Sequence, residues 1–149
     1  GCGSVIKEGY VNVDIRDLPG VDLVADVTQP LPGIAPEIAS RVEAYDVLEH
    51  FPQDQILRIL KLWISYLATR GVIVIRVPDL ELISKKMLAG ELPVYTAQWL
   101  IYGGQAHEFD YHKAGFSGGL LEGLIIGAGC TRILQKFNEE HNLVIVAEK

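Results

Sequence analysis

Four aspartates stand at or near the ends of short apolar runs of strand length: Asp14, Asp26, Asp46 and Asp79. A carboxylate so placed accepts hydrogen bonds from ligand hydroxyls or amines, and in an open α/β sheet ligands sit beyond the carboxyl ends of the strands. Each acid also has a plainer reading as a solvated turn or cap residue, so the ordered set is the stronger signal. Three histidines add groups that exchange a proton near neutral pH: His50, just past Asp46, and His107 and His112, which share one segment with Asp110. These are the candidate base or substrate-contacting groups. The plainer reading has His50 bonded to backbone and Glu49 solvated or capping. H-x-x-D-x-H has metal-ligating residue types, but such a loop is more often a polar surface, and no metal site is expected.

These groups must be positioned by an α/β framework, because short β-branched runs alternate with longer segments of helical period. Val11–Ile15 and Leu23–Val27 are strand-like and are separated by the turn residues Leu18-Pro19-Gly20. After a proline-rich loop, Glu37–Val42 reads as a short helix and Ala44–Leu48 as a strand. Ile56, Ile59, Leu60, Trp63 and Leu67 recur at helical spacing, with Asp54 placed to pair with Arg58 and Gly71 to stop the helix. Val72–Val77 lacks polar alternation, as expected of a strand covered on both faces. Asp79 can cap a helix running to about Leu88, and an apolar segment follows over Val94–Tyr102. Gly103–Phe116 reads as a long loop whose Phe109, Tyr111 and Phe116 could form an apolar wall for a ligand. A glycine-weakened helix over Ser117–Ala128 and an antiparallel hairpin, Thr131–Phe137 with Leu143–Ala147, complete the chain.

Composition narrows the function. With 149 residues, 49% of them hydrophobic, the expected organisation is one domain over residues 1–149. A net charge of −6 gives no general attraction to nucleic acid or an anionic membrane. No apolar run approaches the ~18 to 20 residues that span a bilayer, and no charged-then-apolar leader opens the chain. Cys2 and Cys130 form neither a disulfide framework nor a thiolate zinc site, and a reducing, cytoplasmic setting fits them. Cys2 reads as a small packing residue and Cys130 as core.

The motifs resemble those of class I S-adenosylmethionine-dependent methyltransferases, in particular a small bacterial type. Gly1-Cys2-Gly3-Ser4 is similar to the family's glycine loop, Asp14 to the acid ending its second strand and Asp26-Val27 to the pair ending its third. Tyr45–Phe51 (YDVLEHF) resembles the fourth-strand motif, and Arg70–Ile75 the entry to the fifth strand. The resemblance implies a Rossmann-like, mostly parallel sheet flanked by helices, with a C-terminal antiparallel hairpin. It also implies that S-adenosylmethionine is bound by Gly1, Gly3, Asp14, Ile15, Asp26, Val27 and Asp46. Asp14 would accept from the ribose hydroxyls and Asp26 from the adenine amine, Val27 would offer its N–H and apolar surface, and Asp46 would stand near the methionine end. His50, His107 and His112 are then the candidate catalytic groups. The acceptor expected is a small or glycan-like molecule, with S-adenosylhomocysteine as the other product, and Val94–Tyr102 could form a homodimer surface.

The sequence departs from the family pattern at its start. No strand precedes Gly1, so a sheet ordered 3-2-1-4-5-7-6 would lack its first strand, and residues upstream of Gly1 are expected in the natural protein. Direct pairing of the second and fourth strands would contradict this expectation. Ser4-Val5 replaces the usual third glycine, and the connection from Gly3 to Asp14 is too short for an ordinary helix. Two other readings compete. A nicotinamide-dependent oxidoreductase also uses a glycine loop and an acid, but Ile6 occupies its third glycine position and Asp26 has no role there. A degenerate or truncated methyltransferase fold, acting as a non-catalytic binding module, is the alternative.

Overall fold

The computed structural model describes all residues from Gly1 to Lys149. Six strands and four helices form in the order β1 (Val13–Asp14), β2 (Leu23–Val24), β3 (Ala39–Tyr45), α1 (Ile56–Ser65), β4 (Leu67–Pro78), α2 (Leu80–Leu88), α3 (Val94–Tyr102), α4 (Gly118–Gly127), β5 (Arg132–Glu139) and β6 (Asn142–Glu148). β1 and β2 form a small parallel pair, and the main sheet has the order β3-β4-β6-β5. β3 runs parallel to β4, while β6 is antiparallel to both β4 and β5. The expected sheet order is thus retained in two parts, and β1 does not pair with β3.

The apolar run of β4 predicts cover on both faces; Ile73, Ile75 and Val77 on one face join the core under α1 and α4, whereas on the other only Val74 is buried and Val72 and Arg76 are half-buried. The two helices pack over the sheet through Ile59, Leu60, Trp63, Leu121 and Ile125. Asp79 caps α2 as its type and position suggest, accepting from the Glu81 and Leu82 amides at 3.0 and 3.1 Å. Cys130 is core, as expected.

Several local expectations change because sheet pairing overrides propensity. No helix forms over Glu37–Val42: β3 already starts at Ala39, where it finds a parallel partner in β4. The strand expected over Ala44–Leu48 stops at Tyr45, and Leu48–His50 form a 3₁₀ turn. β1 and β2 shrink to two residues each. α1 ends at Ser65, and Leu67 begins β4. Gly71 sits not at a helix stop but at an irregularity of β4, where a Cβ would lie 2.8 Å from the Ala68 carbonyl. Arg58 does not pair with Asp54; its guanidinium donates to the Thr28 carbonyl at 2.9 Å.

That last bond belongs to a set of side-chain tethers holding the β1–β2 segment against the main body. Trp63 Nε1 donates to the Val27 carbonyl at 2.9 Å, the Leu31 amide donates to the Tyr66 hydroxyl at 2.7 Å, and Lys7 and Tyr10 both bond Glu43 on β3. Trp63→Phe keeps an aromatic ring in the core and removes one tether. We expect it to cost about 1 kcal/mol, read as a lower urea midpoint with unchanged slope.

Candidate functional site

The four aspartates do stand beyond the carboxyl ends of parallel strands. Asp14 closes β1, Asp26 follows β2, Asp46 follows β3 and Asp79 follows β4. Asp79 is spent on structure: besides capping α2 it accepts from Asn138 Nδ2 at 2.7 Å.

Asp14 is 2% exposed. Its Oδ2 accepts from the Gly3 amide at 2.8 Å, and its Oδ1 accepts from the Arg16 amide and Nε at 3.0 and 3.2 Å. Burial pushes its pKa up, but the Arg16 and Gly3 hydrogen bonds outweigh this and hold it below the ordinary value. The glycine loop folds onto this acid, and the Cys2 amide donates to the Val13 carbonyl at 2.8 Å. A Cβ on Gly1 would fall 2.4 Å from Asp14 Oδ2, so the approach of loop to acid requires glycine there. Ile15, next along, is exposed.

Asp26 is exposed and uses one oxygen to accept from the Thr28 amide at 2.9 Å, leaving the other open. Val27 is half-buried, with its carbonyl fixed by Trp63 and its own N–H unused within the chain. This edge offers one acceptor and one donor side by side, a set that suits the amine and ring nitrogen of an adenine. Asp46 has a left-handed backbone (φ 54°) and is ion-paired with Arg76.

The loop from Gly103 to Phe116 separates the two histidines that its sequence puts together. His107 is exposed, with Nε2 3.4 Å from an Arg16 nitrogen, and thus lies on the Asp14 side. His112 is carried to the 3₁₀ turn after β3. Its amide donates to the Tyr102 carbonyl at 3.1 Å, while the Lys113 and Ala114 amides donate to the Glu49 carbonyl at 2.7 and 3.1 Å. The His50 and His112 rings meet edge to face, 4.9 Å between centroids. Burial lowers the pKa of both, and for His50 the nearness of His112 adds to the effect. The Asp110 carboxylate bonds neither imidazole: it accepts from the Ala106 amide at 3.0 Å, and the Asp110 amide donates to the His107 carbonyl at 2.9 Å, closing the loop's own turn.

His112 lines a cavity of about 210 Å³ with Leu80, Ile83, Leu100 and Ile101. This corrects the apolar wall expected from the loop, since Phe109 and Tyr111 are exposed and Phe116 is core. Glu49 is a second correction. Rather than being solvated or capping, it is 1% exposed and neither carboxylate oxygen has a partner. Burial, with Asp46 nearby adding to it, pushes its pKa up to about 8. Arg16 and Arg76, which neutralise two of the four acids, were also not singled out from the sequence.

No family model matches the chain, and no curated protein matches it by sequence. Solved structures do. A SAM-dependent methyltransferase from Archaeoglobus fulgidus is 14% identical, with a TM-score of 0.61 over 92% of this chain and 74% of that one. The class I S-adenosylmethionine-dependent methyltransferase fold is therefore present. A second example of the fold is 1,6-didemethyltoxoflavin-N1-methyltransferase from Burkholderia thailandensis, solved with S-adenosylhomocysteine; it is 15% identical, with a TM-score of 0.60 over 92% of this chain and 59% of that one. An O-methyltransferase family protein from the same organism is 10% identical, with a TM-score of 0.58 over 84% of this chain and 34% of its own. The chain spans 33%, 34% and 43% of the length of three solved chains that it resembles in fold. Asp14, Asp26 and Asp46 thus stand at the carboxyl ends of β1, β2 and β3, with His50 in the 3₁₀ turn that follows β3. No helix is long and apolar enough to cross a membrane.

Proposed function

We propose that this chain transfers a methyl group from S-adenosylmethionine to a small-molecule or glycan-like acceptor. The observation that carries this reading is the ordered set Asp14, Asp26 and Asp46 beyond three parallel strands of a methyltransferase fold. Asp26 and Val27 hold the adenine, Asp14 with Gly1 and Gly3 faces the ribose beside Ile15, and Asp46 stands toward the methionine end. When bound, the cofactor supplies an electrophilic methyl group on a sulfonium, so the protein has to align the acceptor and take a proton from it. The cavity beside His112 has room for a small acceptor. His50 and His112, neutral and with one ring nitrogen each free, suit proton uptake, while His107 belongs to the ribose side through Arg16.

A non-catalytic binding module is the second reading, and one observation favours it. Arg16 and Arg76 already neutralise Asp14 and Asp46, so a ligand's hydroxyls or ammonium must compete with guanidinium groups. Calorimetric titration with S-adenosylhomocysteine separates the two. We expect binding by the wild type, at least tenfold weaker binding by Asp26→Ala, and none of NADH. Asp26 is the better probe than Asp14, because it is exposed and its loss leaves the fold intact. Absence of S-adenosylhomocysteine binding, or equal binding by both proteins, would count against the assignment.

A further inference from the structure

Glu49 holds the only buried side-chain polar atoms in the chain without a hydrogen-bond partner, and both of its oxygens are in that state. Burying a carboxylate without donors costs several kcal/mol, so buried charges are otherwise paired or coordinate metals. The other buried acids obey this rule: Asp14 has Gly3 and Arg16, and Asp79 has the α2 amides and Asn138. Two half-buried imidazoles are what stand next to Glu49. One ligand atom from each of Glu49, His50 and His112 lies within 4.8 Å of the others.

The tautomers of the two rings make this grouping specific. His50 Nδ1 is 3.1 Å from the Tyr111 carbonyl and His112 Nδ1 is 3.0 Å from the Leu100 carbonyl. A carbonyl only accepts, so each Nδ1 carries the proton and each Nε2 keeps a free lone pair. Imidazoles that ligate metals have this arrangement, with the second nitrogen donating to a backbone carbonyl. The main chain also fixes the set from both sides. Glu49 and His50 share one 3₁₀ turn, and the Lys113 and Ala114 amides bind the loop carrying His112 to the Glu49 carbonyl.

We propose that Glu49, His50 and His112 form a binding site for a divalent transition-metal ion, whose remaining coordination positions are left to water or a ligand. Metal–ligand bonds of ~2.0 to 2.2 Å place neighbouring ligand atoms roughly 3 to 3.5 Å apart, so side-chain rotations of about 1 Å close the set. Two nitrogens and one carboxylate suit Zn²⁺, Co²⁺ or Fe²⁺ better than Ca²⁺, which takes oxygen ligands. Asp46 stays outside the set, held by Arg76. With the ion bound the two Nε2 lone pairs are no longer free for proton uptake, and an acceptor oxygen or water in an open position would instead release its proton to solvent. The ion-binding claim itself is independent of the methyltransferase reading.

The test is titration of the chelator-stripped full chain with Co²⁺, followed by its visible d–d absorption, together with Zn²⁺ calorimetry. We expect one equivalent bound, with Ca²⁺ failing to compete, and affinity weakened at least about 100-fold in both Glu49→Gln and His112→Ala. Thermal melts in chelator check that each variant folds, and S-adenosylhomocysteine binding, measured in parallel, reports separately on the proposed function. Wild-type protein that binds no Co²⁺ or Zn²⁺ overturns the site. So does binding that both folded variants retain in full, because the ion would then sit elsewhere.

Discussion

Metal-free protein in chelator is expected to lose about 2 kcal/mol of stability relative to Glu49→Gln between about pH 6.5 and 8. The folded state holds the Glu49 proton up to about pH 8, whereas an ordinary glutamate releases it near 4.5. Between those values the folded chain carries one proton more than the unfolded chain, so stability falls as pH rises, by at most ~1.4 kcal/mol per unit. His50 and His112 act with opposite sign. Their lowered pKa values mean that the unfolded chain takes up protons first as pH falls below about 6.5, so their contribution is lost on the acid side. Above about 6.5 the histidines of the unfolded chain are still losing protons and so offset part of the Glu49 slope, which is therefore read as the difference between the wild type and Glu49→Gln until it levels off near pH 8. Asp46 and Arg76 also face this carboxyl, the first raising its pKa and the second lowering it. Urea midpoints of both proteins at several pH values across that window decide the matter. A slope that survives in Glu49→Gln would belong to another group.

Phe116→Ala is expected to destabilise the chain by about 3 to 5 kcal/mol, against less than about 0.5 kcal/mol for Phe109→Ala. Both residues lie in or at the end of the long loop, but Phe116 is 1% exposed within the main core and Phe109 is 42% exposed. The truncation removes the transfer free energy of a full aromatic ring and leaves a cavity near Leu121 and Ile125. The backbone of Phe116 adds to its importance, since its carbonyl accepts from the Leu80 amide at 2.8 Å and it bridges to Asp79. This is the point at which the loop is fastened beside α2, only four residues after His112. Equal effects of the two truncations in denaturant unfolding would show that burial is not what distinguishes them.

Much of this fold is visible in local pattern. The period of α1, the Asp79 cap, the strand over Val72–Val77 and the terminal hairpin each follow from spacing that tertiary contacts reinforce. Ala39–Tyr45 was illegible because nothing local marks it as a strand; pairing with β4 decides it. The site divides in the same way. Asp14, Asp26 and Asp46 declare themselves by ending strand-like runs. Glu49 does not, because its burial depends on a loop more than fifty positions later folding over it. Likewise His107 and His112 look like one cluster in sequence, and only the contact of His107 with Arg16 and the bonds of Lys113 and Ala114 to the Glu49 carbonyl separate them.

The division of the sheet into two parts bears on how a ligand is felt by the protein. The β1–β2 segment has only short ladders of its own and meets the main body through the separate bonds of Trp63, Arg58, Tyr66 and Glu43. Ladders open cooperatively, whereas such side-chain bonds yield one by one, and Val27 adds apolar contact with the core beside them. A cofactor bound as proposed, from Asp26 to the groups beyond β3, would touch both units at once and add its own contacts to those of Trp63, Arg58 and Tyr66.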